Sequence, residues 1–388
     1  MKSTTQTTAP PFEDQVMPER SPMAELWHLL KMNRLAFTGL LIFILFFCIA
    51  FTGLILTSGS NPAFDPSMVR LQEKLRPPLS APQYELLSPG QLPPLGVYLL
   101  GTDDLGRDIF ARMLQGAWVS LTVGFVAVGI SVIIGILFGG IAGYCGHYHL
   151  RVDHILSITA LLAGIAVLAI NAPLMGISLM VMGIGYLLFS PRIAVSAARK
   201  SSSLVIKLFL SDTISLDTLI MRFVDIMLCF PCFFLILTVV ALLRASIYNI
   251  MIIFGLPSWM GTTRFVRAEI LSLREQDFVT AARALGLSSG RIIFRHIIPN
   301  AIAPVLVSAT IGIASAILTE AGLSFLGFGV PPPHATWGNI LADGKRFIFD
   351  APWLTFIPGF AILVVVLSFN LFGEGLRDIL NPRLRERN

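Results

Sequence analysis

Apolar residues in this chain gather into long runs, at about 36–57, 117–144, 155–172, 174–190, 223–243, 246–263, 301–319 and 354–373. A helix needs about 20 apolar residues to cross the ~30 Å hydrocarbon core of a bilayer. In lipid only helices and closed barrels satisfy every backbone N–H and C=O. The pattern therefore predicts an all-α, polytopic helical membrane protein of about eight transmembrane helices. The third and fourth runs are short and are parted only by Asn171-Ala-Pro173, so they read either as two spans or as a re-entrant hairpin. Either reading leaves the downstream topology unchanged.

The polar positions between the runs set the orientation. Cytoplasmic loops are enriched in Lys and Arg. With the N-terminus inside, segments 1–35, 145–154, 191–222, 264–295 and 376–388 hold 20 of the 28 basic residues. The predicted organisation is a cytoplasmic tail over 1–35, a first transmembrane anchor over 36–57 and a periplasmic loop over 58–116. A permease-type transmembrane domain follows over 117–375, then a cytoplasmic C-terminal tail over 376–388. The Pro- and Gly-rich stretch 58–116 is expected to be irregular, ending in an amphipathic segment. Residues 1–35 are polar and carry Lys2, Arg20, Lys31 and Arg34 ahead of the first apolar run, which argues for an uncleaved anchor over a signal peptide.

Composition agrees: 55% of residues are hydrophobic, 13% are charged and the mean hydropathy is +0.77. Soluble domains carry roughly 25% charged residues. The net charge of +5 follows from the loop asymmetry and does not point to nucleic acid. All four cysteines lie in or beside apolar stretches; Cys229 and Cys232 form a C-x-x-C with no second pair nearby, and are expected to be small buried hydrophobes. His147, His149 and His154 beside Asp153 read as a solvated loop, so no metal site is expected.

The most informative polar segment runs from Asp277 to Pro299. Phe278, Ala281, Ala282 and Leu285 fall at helical spacing and are expected to share a face. Gly286 suits the left-handed position that ends a helix. Ser288 or Ser289 can cap a second helix, in which Ile292, Ile293 and Ile297 repeat a face while Arg291 and Arg295 point elsewhere. Pro299 ends it before the next span. A basic amphipathic helix pair between two spans suits docking into a groove of a soluble partner or lying in the lipid interface.

The spacing Ala281-Ala282-x3-Gly286-x9-His296-Ile297-Ile298-Pro299 resembles the "EAA" loop, EAA-x3-G-x9-I-x-L-P, of binding-protein-dependent ABC importer permeases. Thr280, His296 and Ile298 stand where that pattern has Glu, Ile and Leu. Three further blocks resemble the C-type permeases of dipeptide, oligopeptide and nickel importers: Gly101-Thr-Asp-Asp-Leu-Gly-Arg-Asp108 with Arg112 and Gly116, Glu320 to Pro332 with Trp337-Gly-Asn339, and Phe369 to Arg383. The resemblance implies a six-helix importer core in the bacterial inner membrane, with a coupling loop inside 264–299 that sits in a cleft of an ATPase subunit. It also implies a homologous partner permease, two cytoplasmic ABC ATPases that use ATP and Mg, and a periplasmic or lipid-anchored substrate-binding protein. This chain itself is expected to bind no cofactor and to be no enzyme; it lacks G-x-x-x-x-G-K-[ST]. Short peptides are the expected cargo, with nickel or another small solute as the alternative. An ATP-independent channel or secondary transporter is the rival from another class. Residues of about 147–217 depart from the family as an insert, expected to pack outside the core as an accessory hairpin.

Within this frame the coupling contacts are expected from Asp277, Ala281, Ala282, Gly286, Arg291, Arg295, His296 and Pro299. Glu320, an acid near a span end, either lines the pathway or braces a helix contact. Asp103, Asp104, Arg107 and Asp108 either meet the binding protein or form an internal network that fixes the external loop, the reading the crowding favours. A G-x-S-x-G or H-E-x-x-H in a span, as an intramembrane protease would need, does not occur.

Overall fold

The structure is a computed structural model that describes residues 22–146, 148–151, 212–243 and 246–380, with isolated positions between 157 and 184. Helix α1 (Pro22–Met32) gives the end of the N-terminal tail a regular structure. Asn33 then accepts the Ala36 N–H at 3.1 Å and caps α2 (Arg34–Thr57). Helix α3 (Ile109–Cys145) follows the segment 58–108. After it come α4 (Leu216–Leu228), α5 (Cys232–Leu242), α6 (Ile247–Arg274) and α7 (Asp277–Ala284). Helix α8 (Ser289–Ile292) passes through a π-helical turn, Ile293–Ile297, into α9 (Ile298–Phe325), and α10 (Trp337–Gly344) and α11 (Trp353–Leu380) close the fold.

Among the described residues, four stretches are long and apolar enough to cross a membrane: α2, α3, α8 through α9, and α11. The run at 223–243, expected as one span, is instead the pair α4 and α5, bent by 77°. Pro231 stands at the break, where a ring without an N–H cannot continue a helix. The run at 246–263 becomes α6, which continues to Arg274. At 28 residues it is long enough to span, but Arg264, Arg267, Glu269 and Arg274 make its C-terminal half polar. The runs at 155–172 and 174–190 fall mostly outside the described residues, as do His147, Asp153, His154 and the tail beyond Leu380. Where the insert is described, a Cβ on Gly183 would lie 2.9 Å from the Ser157 carbonyl, so its two arms approach closely. Strand β1 (His149–Arg151) pairs antiparallel with β2 (Asp212–Ser215), His149 opposite Ser215, so the insert leaves and rejoins the fold at one place.

Helices meet in lipid through packing, which favours small residues at the contact. Gly135, Gly139 and Gly143 of α3 lie against Thr262, Thr263 and Ile270 of α6, and a Cβ on Gly139 would meet the Thr263 carbonyl at 2.7 Å. Around this seam sit two buried clusters, one on Leu121, Ile313, Ile317 and Phe369, the other on Val123, Ile250, Phe254 and Leu323. Asp217 in the first turn of α4 forks onto Arg267 of α6, and Asp225 pairs with Arg264, which fastens α4 along α6. Cys229 and Cys232, expected to be buried, are free and exposed on this chain at the α4–α5 break.

Candidate functional site: the coupling loop and the external brace

Helix α7 ends in the hydrogen bonding that its glycine foreshadows. Gly286 takes φ +75°, its N–H donates to the Arg283 carbonyl at 2.9 Å, and the Leu287 N–H donates to the Ala282 carbonyl at 3.2 Å. These two bonds satisfy carbonyls that a helix end otherwise leaves bare. Ser288 occupies the cap position of α8, although its side chain makes no capping bond.

The inner face of the loop is Val279, Ala282, Ile292 and Ile297, all buried with Tyr144, Val266, Ile270 and Val305. Ala282, Ile292 and Ile297 fall on the face the sequence assigns to them. Phe278, Ala281 and Leu285 do not share it: Phe278 is 39% and Leu285 80% exposed. The outer face therefore carries Phe278, Ala281, Leu285 and Phe294 beside Arg291 and Arg295, while Arg283 leans back over Tyr144. Asp277 lies exposed in the first turn of α7, where a carboxylate is favourable. His296 is half-buried in the π-helical turn, and its carbonyl accepts from Asn300 at 2.6 Å. Pro299 is exposed and does not end the second helix as expected: α8, the π-helical turn and α9 run through it as one helix, Ser289–Phe325, because the wider turn before it absorbs the missing N–H. A cavity of ≈500 Å³ lies behind the loop, lined by Tyr144, Arg274, Glu275, Arg283 and Leu287, with the Arg283 guanidinium 5.6 Å from the Tyr144 ring.

On the other side of the fold the four charges of the Gly101–Asp108 motif separate into different roles. Asp103 is fully buried. Its Oδ2 accepts from Arg107 Nε at 2.6 Å and Arg112 Nη1 at 2.5 Å, and its Oδ1 accepts the N–H groups of Leu105 and Arg107 at 2.9 and 2.8 Å. Both arginines continue to Asp343 of α10 at 3.1 Å. Asn339 accepts from Arg112 at 3.4 Å and from the Thr336 N–H at 3.0 Å. This is the internal network. Asp108 caps α3 by accepting the Phe110 N–H at 2.9 Å, and burial pushes its pKa up to about 6 against the pull of those backbone bonds and Arg70. Asp104 stays outside the network; burial, then the charges of Asp103 and Asp343, raise its pKa. Residues 58–108 are irregular, as expected, but ordered: Thr102 donates to the Glu73 carbonyl at 2.5 Å, and a Cβ on Gly106, at φ +72°, would lie 1.8 Å from the Arg70 carbonyl.

Glu320 is fully buried within α9. Its carboxylate accepts from Ser324 at 2.6 Å and Ser120 at 3.3 Å, and Ser120 in turn accepts the Trp337 N–H at 3.3 Å. The residue ties α3, α9 and the start of α10 together, which is the bracing arrangement. Its partner Ser120 and the network's Asp343 carry no local mark in the sequence. Thr336 and Asn339 do, as a capping box.

Comparison with known proteins agrees with this geometry. Residues 211–386, which contain the coupling loop and Glu320, match the family described as binding-protein-dependent transport system inner membrane component. The dipeptide transport system permease protein DppC of Alkalihalophilus pseudofirmus is 36% identical over 382 residues, covering 98% of this chain and 96% of that protein. The di/tripeptide transport system permease protein DppC of Pseudomonas aeruginosa is 33% identical, covering 97% of each. The oligopeptide transport system permease protein OppC of Bacillus subtilis is 31% identical, covering 76% of this chain and 74% of that protein. This multi-pass helical membrane protein belongs to the family of binding-protein-dependent transport system inner membrane components.

Proposed function

We propose that the chain is a permease subunit of an ATP-driven importer that carries short peptides across the bacterial inner membrane. The observation that carries this reading is the two-sided coupling loop. Its inner face is clamped to α3, α6 and α9, while its outer face offers Phe278, Leu285 and Phe294 beside Arg291 and Arg295. An apolar strip rimmed by charge is suited to a groove on a soluble subunit, and the clamped face would pass a displacement of the loop directly to three helices. Two cytoplasmic ABC ATPases are the partners this surface fits, and they would hydrolyse ATP with Mg. A homologous permease would complete the pathway, a periplasmic or lipid-anchored binding protein would deliver cargo, and both termini would be cytoplasmic. The chain would be a transport subunit with no reaction of its own. Peptide cargo is supported by relatives named as dipeptide, di/tripeptide and oligopeptide permeases.

The test is reconstitution. The chain, its partner permease and both ATPases are co-purified into liposomes, and ATP hydrolysis is measured with and without peptide-loaded binding protein. Stimulated hydrolysis with uptake of labelled tri-alanine is the expected result. Uptake without nucleotide would overturn the reading in favour of a channel or secondary transporter.

A further inference from the structure

A cavity of ≈520 Å³ opens between α3, α5, α6 and α9, within the range of ~300–1,000 Å³ typical of small-molecule sites. Its polar lining is made of hydroxyls: Ser131, Ser258, Thr262, Ser308, Ser315 and Thr319. On α9, Ser308, Gly312, Ser315 and Thr319 recur at helical spacing on one face. Leu306, Ile311 and Leu318 are exposed on the same helix, and of these only Ile311 reaches the cavity. Small residues (Gly261, Ala309, Gly312 and Ala316) keep the walls open, and Cys232 stands among them. Among the described residues, no Asp, Glu, Lys, Arg or His lines it. Glu320, one residue beyond Thr319, turns away into its own hydrogen bonds with Ser324 and Ser120.

A span that faced only lipid would gain nothing from such a stripe, because every hydroxyl there must find a partner. Two of these hydroxyls find theirs one turn back: Ser258 donates to the Phe254 carbonyl at 2.9 Å and Thr319 to the Ser315 carbonyl at 2.8 Å. Ser131 of α3 and Thr262 of α6 share a bond of 2.9 Å between the helices. A hydroxyl whose proton is held by its own helix presents its oxygen lone pairs outward. The cavity thus offers hydrogen-bond acceptors without a formal charge.

Resting on the importer reading, we infer that this cavity is the chain's share of the translocation pathway, built to pass extended peptides by their N–H groups without sorting them by side-chain charge. Neutral walls neither repel a carboxylate nor trap an ammonium, and a hydroxyl lone pair meets a backbone N–H in any peptide. Selection among peptides by charge then falls to other subunits.

The test uses the complete reconstituted complex. Uptake of tri-alanine, Ala-Lys-Ala and Ala-Glu-Ala is measured at saturating loaded binding protein. The wild type is expected to carry all three within about twofold of one another. Ser315→Lys should depress Ala-Lys-Ala uptake about fivefold or more relative to Ala-Glu-Ala, and Ser315→Asp should reverse the order, since like charges a few Å apart repel strongly away from bulk water. In a chain retaining Cys232 as its sole cysteine, a charged, membrane-impermeant thiosulfonate should modify Cys232 during turnover and block uptake. Leu318→Cys, in a chain otherwise free of cysteine, should not react. If both Ser315 variants change the charged peptides by one common factor, or if Cys232 stays unmodified while uptake proceeds, the pathway assignment is overturned. Where the Ser315 variants do not assemble, the Cys232 labelling decides alone. A wild-type complex with no ATP-driven uptake of any of the three peptides overturns the importer reading itself, and this one with it.

Discussion

The Leu287 N–H reaches back to the Ala282 carbonyl at 3.2 Å, and with Gly286 at φ +75° that bond turns the chain from α7 into α8. Nothing lies within 4 Å of where a Gly286 Cβ would stand. The demand on this position is therefore conformational, not steric. A side chain in the left-handed region costs roughly 1–2 kcal/mol, and least for Asn. Gly286→Val should leave the protein in the membrane but reduce peptide uptake about tenfold, whereas Gly286→Asn should keep most of it. Equal uptake by the two variants, in liposomes at matched protein, would show that the turn geometry is not what couples the subunits.

The external network should behave as one buried unit. Asp103 and Arg112 are almost wholly out of water, while the Asp343 side chain is 37% exposed. Removing one member of a buried pair strands the other, at about 3–5 kcal/mol. Arg112→Met should lower the thermal unfolding temperature in detergent markedly, and Asp343→Asn only slightly. The opposite ranking would place the stabilising contact elsewhere.

Asp108 supplies a pH signature. Its folded pKa of about 6 lies above the ordinary carboxylate value, so the folded state holds the proton more tightly than the unfolded chain. The corresponding stability is full below about pH 4 and is lost as pH rises through 6. The shift corresponds to about 3 kcal/mol. Asn caps a helix as well as Asp does, so Asp108→Asn should be as stable at pH 7 or more so, with a flatter profile between pH 4 and 6. Unfolding temperatures of the two proteins across that window provide the check.

Topology can be read with fusions. A reporter placed after Arg199 should report the cytoplasm, and one at Pro332 the exterior, as the Lys and Arg distribution requires. An external signal at Arg199 would remove one crossing from the 155–190 stretch.

Because β1 and β2 bring the two ends of the insert side by side, the segment between them can be excised without stretching the core. Replacing residues 152–211 by Asn-Gly, a favoured two-residue hairpin turn, should preserve assembly and most uptake. An assembled complex that no longer transports would make the insert part of the transport machinery.

What the sequence disclosed and withheld follows from the range of each signal. Gly286 was legible because its turn is made within six residues. The split of α7 into Val279 and Ala282 inside and Phe278 and Leu285 outside was not, since apolar residues occur on both faces of that short helix and only its neighbours choose between them. The break at Pro231 had a local sign in the proline, but the apolar run across it hid the bend. Arg112 and Asp343 are 231 positions apart, and no local pattern links them. The cysteines at the break were expected inside because small apolar side chains usually are; on this chain both are exposed, Cys232 at the wall of the inter-helix cavity.

One consequence follows from the length of α3. It runs unbroken, without proline, for 37 residues from the cap at Asp108 to Cys145, about 55 Å at 1.5 Å per residue. Its outer end is anchored in the Asp103–Arg112 network and its inner end is packed against the coupling loop. Pivoted at its middle, a rod of that length tilted by about ten degrees would carry its ends roughly 5 Å in opposite directions, so a displacement at the Tyr144 end would return, reversed, at the Asp103–Arg112 end.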